Sequence, residues 1–259
     1  MIQDFGGATI FKNAYKKINA DYIYMADTEN APYGLKSIEE VRNLTENCIQ
    51  ELILKGCNII VVACNTATSA AIEYLRDKYP DITFIGAEPA IKPALKKEEN
   101  KKIILAATSL TLKGNKLKKL ISDLETEDKL TLVALDKLVE YSDFKDEIEY
   151  NSAYKYIKNE FSELNLKEYS GIVLGCTHFP IFKNEIRKNL PSDIKIFDSA
   201  EGITNNLKRI IGKKYPDYNE NSDKSLELIL TKNNKKFEYK FFSMINDDTK
   251  DWQIEQFMV

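Results

Sequence analysis

The stretch Asn58-Ile-Ile-Val-Val-Ala-Cys64-Asn65-Thr66 decides the fold, and Ser170-Gly-Ile-Val-Leu-Gly-Cys176-Thr177-His178 repeats its plan. In each, an apolar run ends in a small residue, then a cysteine, then short polar residues, and a helical pattern begins. Continuous Ile/Val/Leu runs are the mark of strands buried on both faces, as in parallel sheets covered by helices. Working outward, similar runs recur at residues 22–26, 83–86, 103–107, 130–135 and 194–197. Helical patterns occupy 37–55, 66–78, 112–124, 152–164, 179–189 and 200–211. Ser37-Ile-Glu-Glu40 is a capping box at one helix start, and Gly56 suits that helix's end. The expectation is an α/β protein of two similar domains, each a mostly parallel sheet flanked by helices. The Lys/Glu-rich stretch 91–102 is read as a crossing between halves. In the tail, 226–231 and 237–244 flank the turn-like Lys232-Asn-Asn-Lys235 and are read as a β-hairpin that returns to the first half. The domains expected are 1–88 with 199–259, and 89–198.

Composition narrows the function. The 259 residues carry 37 Lys+Arg against 40 Asp+Glu, a net charge of −3, with no basic stripe, so a nucleic-acid partner is not expected. No apolar run approaches the ~20 residues that span a bilayer, and the N-terminus lacks the pattern of a secretion signal. A cytoplasmic protein without membrane attachment is expected. The four cysteines, Cys48, Cys57, Cys64 and Cys176, show no C-x-x-C spacing, and there is one histidine, His178, too few for the usual structural zinc patterns. They are expected as thiols.

Ligands of open α/β sheets bind beyond the carboxyl ends of the strands, where both Cys64 and Cys176 fall. The unpaired N–H groups of the helix that follows favour a thiolate and can hold a carboxylate. Asn65, Thr66, Thr177 and His178 are poor choices for a dry core and offer hydrogen bonds to such a ligand. Two equivalent thiols, one for each side of a substrate, suit inversion of a carbon centre. One base takes the α-proton and a conjugate acid returns a proton to the other face; a thiol with a free pKa of about 8.5 can do either. His178 could assist proton transfer or stabilise the adjacent thiolate. Cys48, on a helix, and Cys57, at a strand start, read as small hydrophobes.

The runs Ala63-Cys64-Asn65-Thr66-Ala67-Thr68 and Leu174-Gly175-Cys176-Thr177-His178-Phe179-Pro180 resemble the two active-site motifs of glutamate racemases, whose second motif usually has Tyr at Phe179. Ala26-Asp27-Thr28 with Ala31-Pro32-Tyr33-Gly34, Lys36-Ser37, Leu138-Val139-Glu140 and Asp198-Ser199-Ala200 extend the likeness, which covers roughly residues 4 to 210. The resemblance implies two α/β domains with the active site at their interface, and no metal, pyridoxal phosphate or nicotinamide cofactor. It makes Cys64 and Cys176 the acid/base pair, with His178 beside the second. Tyr33, Gly34, Asn65, Thr66 and Thr177 then line the site, and Glu140 stands where the family has a nearby carboxylate. It further implies L- and D-glutamate as substrates, a place in peptidoglycan synthesis and a homodimer. Aspartate relatives tend to carry Glu at the position of His178, which leans toward glutamate.

Three departures stand out. The family opens with an apolar strand leading into Asp-Ser-Gly-x-Gly-Gly; aligning Gly6-Gly7 and Thr9 with it puts Ile2 and Gln3 in place of the Asp and Ser. Ala107 stands where glycine is favoured before Thr108, and Cys-Pro is missing before Leu138. A coding start placed too late, a substitute carboxylate at Asp4, and a relative that binds without turning over each account for the first. Two readings therefore stay open: a two-thiol glutamate racemase, or an impaired paralogue that binds an acidic amino acid.

Overall fold

The computed structural model describes residues 6–97, 101–143, 147–219 and 223–246. Ile2, Gln3 and Asp4 lie outside these residues, as does part of the stretch 91–102. The chain begins with α1 (Gly7–Lys17), β1 (Tyr22–Ala26), α2 (Ile38–Leu54), β2 (Ile59–Val62), α3 (Asn65–Lys78) and β3 (Thr83–Gly86). It continues with α4 (Ile91–Lys97), β4 (Lys102–Ala107), α5 (Ser109–Lys113), α6 (Asn115–Asp123), β5 (Leu130–Ala134), α7 (Asp136–Glu140) and α8 (Glu147–Ser162). Next come β6 (Tyr169–Leu174), α9 (Lys183–Lys188), β7 (Lys195–Phe197), α10 (Ala200–Lys214), β8 (Leu226–Leu230) and α11 (Lys235–Asn246).

Two compact units result: the first takes the chain up to Ala87 and resumes at Ala200, and the second runs Glu88–Ser199. In the second, four parallel strands lie in the order β5-β4-β6-β7. Ile103, Leu105 and Val173 from this sheet pack with Ile91, Ala94 and Leu117 from α4 and α6. In the first unit, β1 pairs with β8 and β2 with β3, both in parallel. All strand pairing among the described residues is thus parallel, the arrangement that the apolar runs called for.

Several local expectations are corrected. Residues 237–244 are not a strand but part of α11, and β8 joins β1 in parallel instead of closing a hairpin. The apolar positions Phe237, Phe241, Met244 and Ile245 recur at helical spacing and are buried. Asn234 starts the helix: its Oδ1 accepts the Phe237 N–H at 3.0 Å. Phe241 packs with Phe11 and Tyr24, with ring centroids 5.6 and 4.6 Å away, so the tail helix seals the face of β1 beside α1. The described first part of the stretch 91–102 is helix rather than linker, because α4 buries Ile91 and Ala94 within the second unit. The 112–124 helix is broken by Gly114, whose backbone is extended (ψ 136°), into α5 and α6. The sequence reading assigned no helix to Gly7–Lys17, yet Ala8, Ile10, Phe11 and Ala14 bury one face of α1.

The α2 helix carries the capping box: Ser37 N–H donates to Glu40 Oε2 at 2.8 Å and Glu40 N–H to Ser37 Oγ at 3.2 Å. Gly56 follows its end at φ 85°, a conformation glycine adopts without steric cost. A buried carboxylate joins α2 to α3. Glu46 accepts the hydroxyls of Tyr74 and Tyr79, each at 2.7 Å, and pairs with Lys78. Burial alone would raise its pKa, but these partners outweigh that and hold it at about 2. Because the folded value lies below the ordinary 4.5, the stabilisation is present above pH 4.5 and is lost as pH falls toward about 2. Glu46→Gln is expected to destabilise the protein by about 1–3 kcal/mol at pH 7. Urea denaturation at stepped pH checks this, and the gap between parent and variant should close in acid.

Candidate active site

In the first unit β2 runs out at Val62, and Cys64 becomes the N-cap of α3. Its extended backbone (φ −137°, ψ 123°) turns Sγ back to accept the Ala67 N–H at 3.3 Å. A helix start leaves four N–H groups without intrahelical partners, and a sulfur placed there meets the positive end of the helix dipole. Both features favour the thiolate. Thr68 fixes this junction: its Oγ1 donates to Val62 O at 3.1 Å and accepts the Ala87 N–H at 2.9 Å. A Cβ at Gly86 would come within 2.4 Å of Thr68 Cγ2, so only glycine lets β3 lie this close.

Asn65 and Thr66 are buried beside the thiol. Asn65 Nδ2 donates to Ala87 O at 3.3 Å, while its Oδ1 is a buried acceptor with no hydrogen-bond partner among the described residues. Tyr33 and Gly34 open a single 3-10 turn, Tyr33–Leu35. The Tyr33 ring packs in the same core cluster as Cys48 and Cys64. Its hydroxyl donates to Asp27 Oδ2 at 2.6 Å. Burial first, and then this bond, push the phenol far above its ordinary pKa, so Tyr33 is a neutral donor. Burial, with the nearby Asp27 charge, likewise pushes the Cys48 thiol up to about 12. Cys48 is therefore a neutral core residue, and Cys57 is only partly buried.

In the second unit β6 ends at Leu174. Gly175 N–H donates to Ala106 O at 2.7 Å, and a Cβ on Gly175 would sit 3.0 Å from both that oxygen and Ala107 Cβ. A small residue before the thiol is thus a packing requirement. Cys176 is 8% exposed, and its Sγ lies 3.6 Å from His178 Nδ1. Thr177 and His178 are buried with it. The expected 179–189 helix is not continuous: Pro180 opens a 3-10 turn, Phe179–Phe182, and α9 has six residues. A full helix dipole is missing behind Cys176, and an imidazole nitrogen, a group able to exchange protons, stands beside its sulfur instead.

Glu140 departs from the others. It ends α7 and does not begin a helix, and it alone of the nine expected site residues is exposed. The structure groups Tyr33, Gly34, Cys64, Asn65 and Thr66 in the first unit, and Cys176, Thr177 and His178 in the second. Sequence reasoning quoted Asp27 within the family likeness but gave it no part in the site, and it is 1% exposed. A carboxylate directly after a buried strand and six residues before Tyr33 was the available signal. Among the described residues no group of three or more His, Cys, Asp or Glu side chains could hold a metal ion, and no helix is long and apolar enough to cross a membrane.

An α/β protein of two units, each with a buried strand running into a cysteine and hydrogen-bonding residues, has the architecture of α/β enzymes that take small ligands beyond the carboxyl ends of their strands. The profile of the Asp/Glu/Hydantoin racemase family matches residues 10–206. The glutamate racemase of Lachnospira eligens is 44% identical over 212 residues, covering 81% of this chain and 79% of the relative. That of Halothermothrix orenii is 40% identical over 236 residues, covering 90% and 91%. The crystal structure of glutamate racemase isoform RacE1 from Bacillus anthracis superposes with a TM-score of 0.81 at 28% identity, over 92% of this chain and 90% of that one. The chain belongs to the Asp/Glu racemase family and, within it, to the glutamate racemases, which are isomerases of an acidic amino acid.

The capping role of Cys64 separates from its chemistry in a stability measurement. Cys64→Ala removes the N-cap acceptor and is expected to cost about 1 kcal/mol. Cys64→Ser keeps an acceptor and should retain most of that; thermal unfolding of both variants beside the parent checks the difference.

Proposed function

We propose that this chain binds glutamate in the manner of its family but turns it over far more slowly than complete members. Binding is supported by the buried Oδ1 of Asn65, an acceptor that a substrate ammonium group would satisfy, beside the helix-start N–H groups that suit a carboxylate. The impaired turnover is carried by one observation: Ile2 and Gln3 stand where the family has the Asp that assists a catalytic thiol and the Ser that contacts substrate.

The chemistry to be impaired is a two-thiol exchange. One thiolate removes the α-proton, and the opposite thiol delivers its own proton to the other face of the carbanion, so one proton is taken up and one returned. Cys64 and Cys176 fill these parts, with His178 exchanging protons with Cys176. Tyr33, Gly34, Asn65, Thr66 and Thr177 hold the substrate, and Glu140 is assigned to the periphery. The reaction calls for no cofactor. A second reading, a competent racemase supplying D-glutamate for peptidoglycan, is favoured by the intact surroundings of both thiols: the Ala67 N–H at Cys64 and the His178 nitrogen at Cys176. In either reading the protein acts in the cytoplasm as a homodimer.

Calorimetry with L-glutamate and α-deuterium incorporation in heavy water distinguish the two. The impaired reading expects binding with little or no deuterium uptake. Rapid uptake from both enantiomers, with loss of optical activity, establishes the competent racemase instead. Ile2→Asp combined with Gln3→Ser should raise exchange by about a hundredfold, the lower end of what an assisted acid/base pair contributes. In that background Cys64→Ser and Cys176→Ser should each abolish racemisation and the exchange on one face first, and racemisation by both variants as fast as the parent would refute the two-thiol assignment.

A further inference from the structure

The tail beyond residue 214 lies past the family match, yet it reaches the Tyr33 turn. Asp27 follows β1 and is buried. Its Oδ2 accepts the Tyr33 hydroxyl at 2.6 Å. Its Oδ1 accepts the Thr231 hydroxyl at 2.7 Å and Asn30 Nδ2 at 2.9 Å. Thr231 is the residue after β8, 204 positions away in sequence. Its Oγ1 also accepts the Glu29 N–H at 3.1 Å, and its own N–H donates to Ala26 O at 3.1 Å. A backbone amide can only donate, so the single hydroxyl proton of Thr231 is committed to Asp27. Next to it, Thr28 Oγ1 donates to Lys232 O at 2.7 Å and accepts the Lys232 N–H at 3.2 Å. The Asp27–Tyr33 segment is therefore stitched to residues 231 and 232 by side chains of both segments, just past the ends of β1 and β8.

We infer that Thr231 is a positioning residue for the substrate turn: acting through Asp27, its hydroxyl fixes the direction of the Tyr33 ring and with it the Tyr33–Gly34 backbone. The reason is one of satisfaction. A buried carboxylate needs donors on both oxygens: Oδ2 of Asp27 has the Tyr33 hydroxyl, and Oδ1 shares Asn30 of the turn with Thr231 of the tail, whose hydroxyl makes the shorter bond. Removing the tail's donor leaves Oδ1 with Asn30 alone, and the carboxylate is then free to rotate toward it and away from Tyr33. Tyr33 is also neutral by virtue of its burial, so it remains a donor at every working pH and keeps the chain of bonds in one direction. The inference rests on the reading of Tyr33–Gly34 as substrate-holding, and it adds a residue from a segment to which that reading gives no part.

The test compares the full-length parent with Thr231→Val, which keeps the shape and removes the hydroxyl, and Thr231→Ser, which restores it. Two quantities are read. Amide hydrogen exchange of residues 28–35 reports the order of the turn without ligand, and calorimetry reports glutamate affinity. Thr231→Val should speed exchange in 28–35 but not in α3, and should weaken glutamate binding about tenfold or more; Thr231→Ser should bring both back near the parent. In the double substitution Ile2→Asp/Gln3→Ser, the same change should raise KM more than it lowers kcat. Unchanged exchange in 28–35 for Thr231→Val overturns the positioning role, as does equal loss in the Val and Ser variants. A parent that shows no glutamate binding while its Val variant loosens the turn overturns the glutamate-binding reading and leaves the clamp standing.

Discussion

The backbone N–H groups exposed where α3 begins are the constraint on which the rest of the first unit's chemistry depends. They must be satisfied, and the residue at that position is a cysteine whose sulfur takes one of them. Everything that holds the helix start in place therefore also holds the thiol. Thr68 spans the ends of β2 and β3, Gly86 allows the close approach, and Glu46 bolts α3 to α2 from the far end. These contacts lie at opposite ends of a fourteen-residue helix, so the Sγ position is set by the rigidity of the whole element.

The second unit solves the same problem with different material. Gly175 lets β6 run close against β4, and the chain after Cys176 tightens into a 3-10 turn at Pro180. Without an extended α-helix behind it, this thiol has a weaker dipole to rely on, and a histidine nitrogen stands near it instead. The two strand-end cysteines are thus alike in placement and unlike in how a charge on them would be stabilised. In the proposed two-thiol exchange, where one sulfur is a base at the moment the other is an acid, such an unsymmetrical pair is suited to the task.

Where the periodicity was strong, the sequence could be read directly. The Ile/Val/Leu runs before Cys64 and Cys176 became parallel strands, and Ser37 with Glu40 made the capping box their spacing announced. Errors fell where composition and spacing disagreed. Aromatic residues in 237–244 favour strands, but their intervals are helical, and the Asn234 cap together with burial against Phe11 decided for the helix. Breaks at Gly114 and Pro180 are local, and each falls at a residue type that interrupts helices. The bond between Asp27 and Thr231 is of another kind. No window of sequence contains both residues, and their meeting depends on β8 lying parallel to β1, a partner that the hairpin reading did not name.

Binding and turnover place different demands on such a site, and in the proposed reading this chain meets them unequally. Holding glutamate requires donors and acceptors in a fixed arrangement. The helix start at Cys64, the orphaned oxygen of Asn65 and the braced Tyr33–Gly34 turn are all built into well-packed elements. Turnover requires in addition that a thiol lose its proton readily, and a carboxylate positioned beside it is what makes that transfer fast. Ile2 offers no proton acceptor, and Gln3 cannot ionise. Losing such a group raises the barrier to proton removal while leaving the recognition of the substrate's charged ends largely in place. A family member altered at these positions alone is therefore expected to keep its ligand and lose its rate.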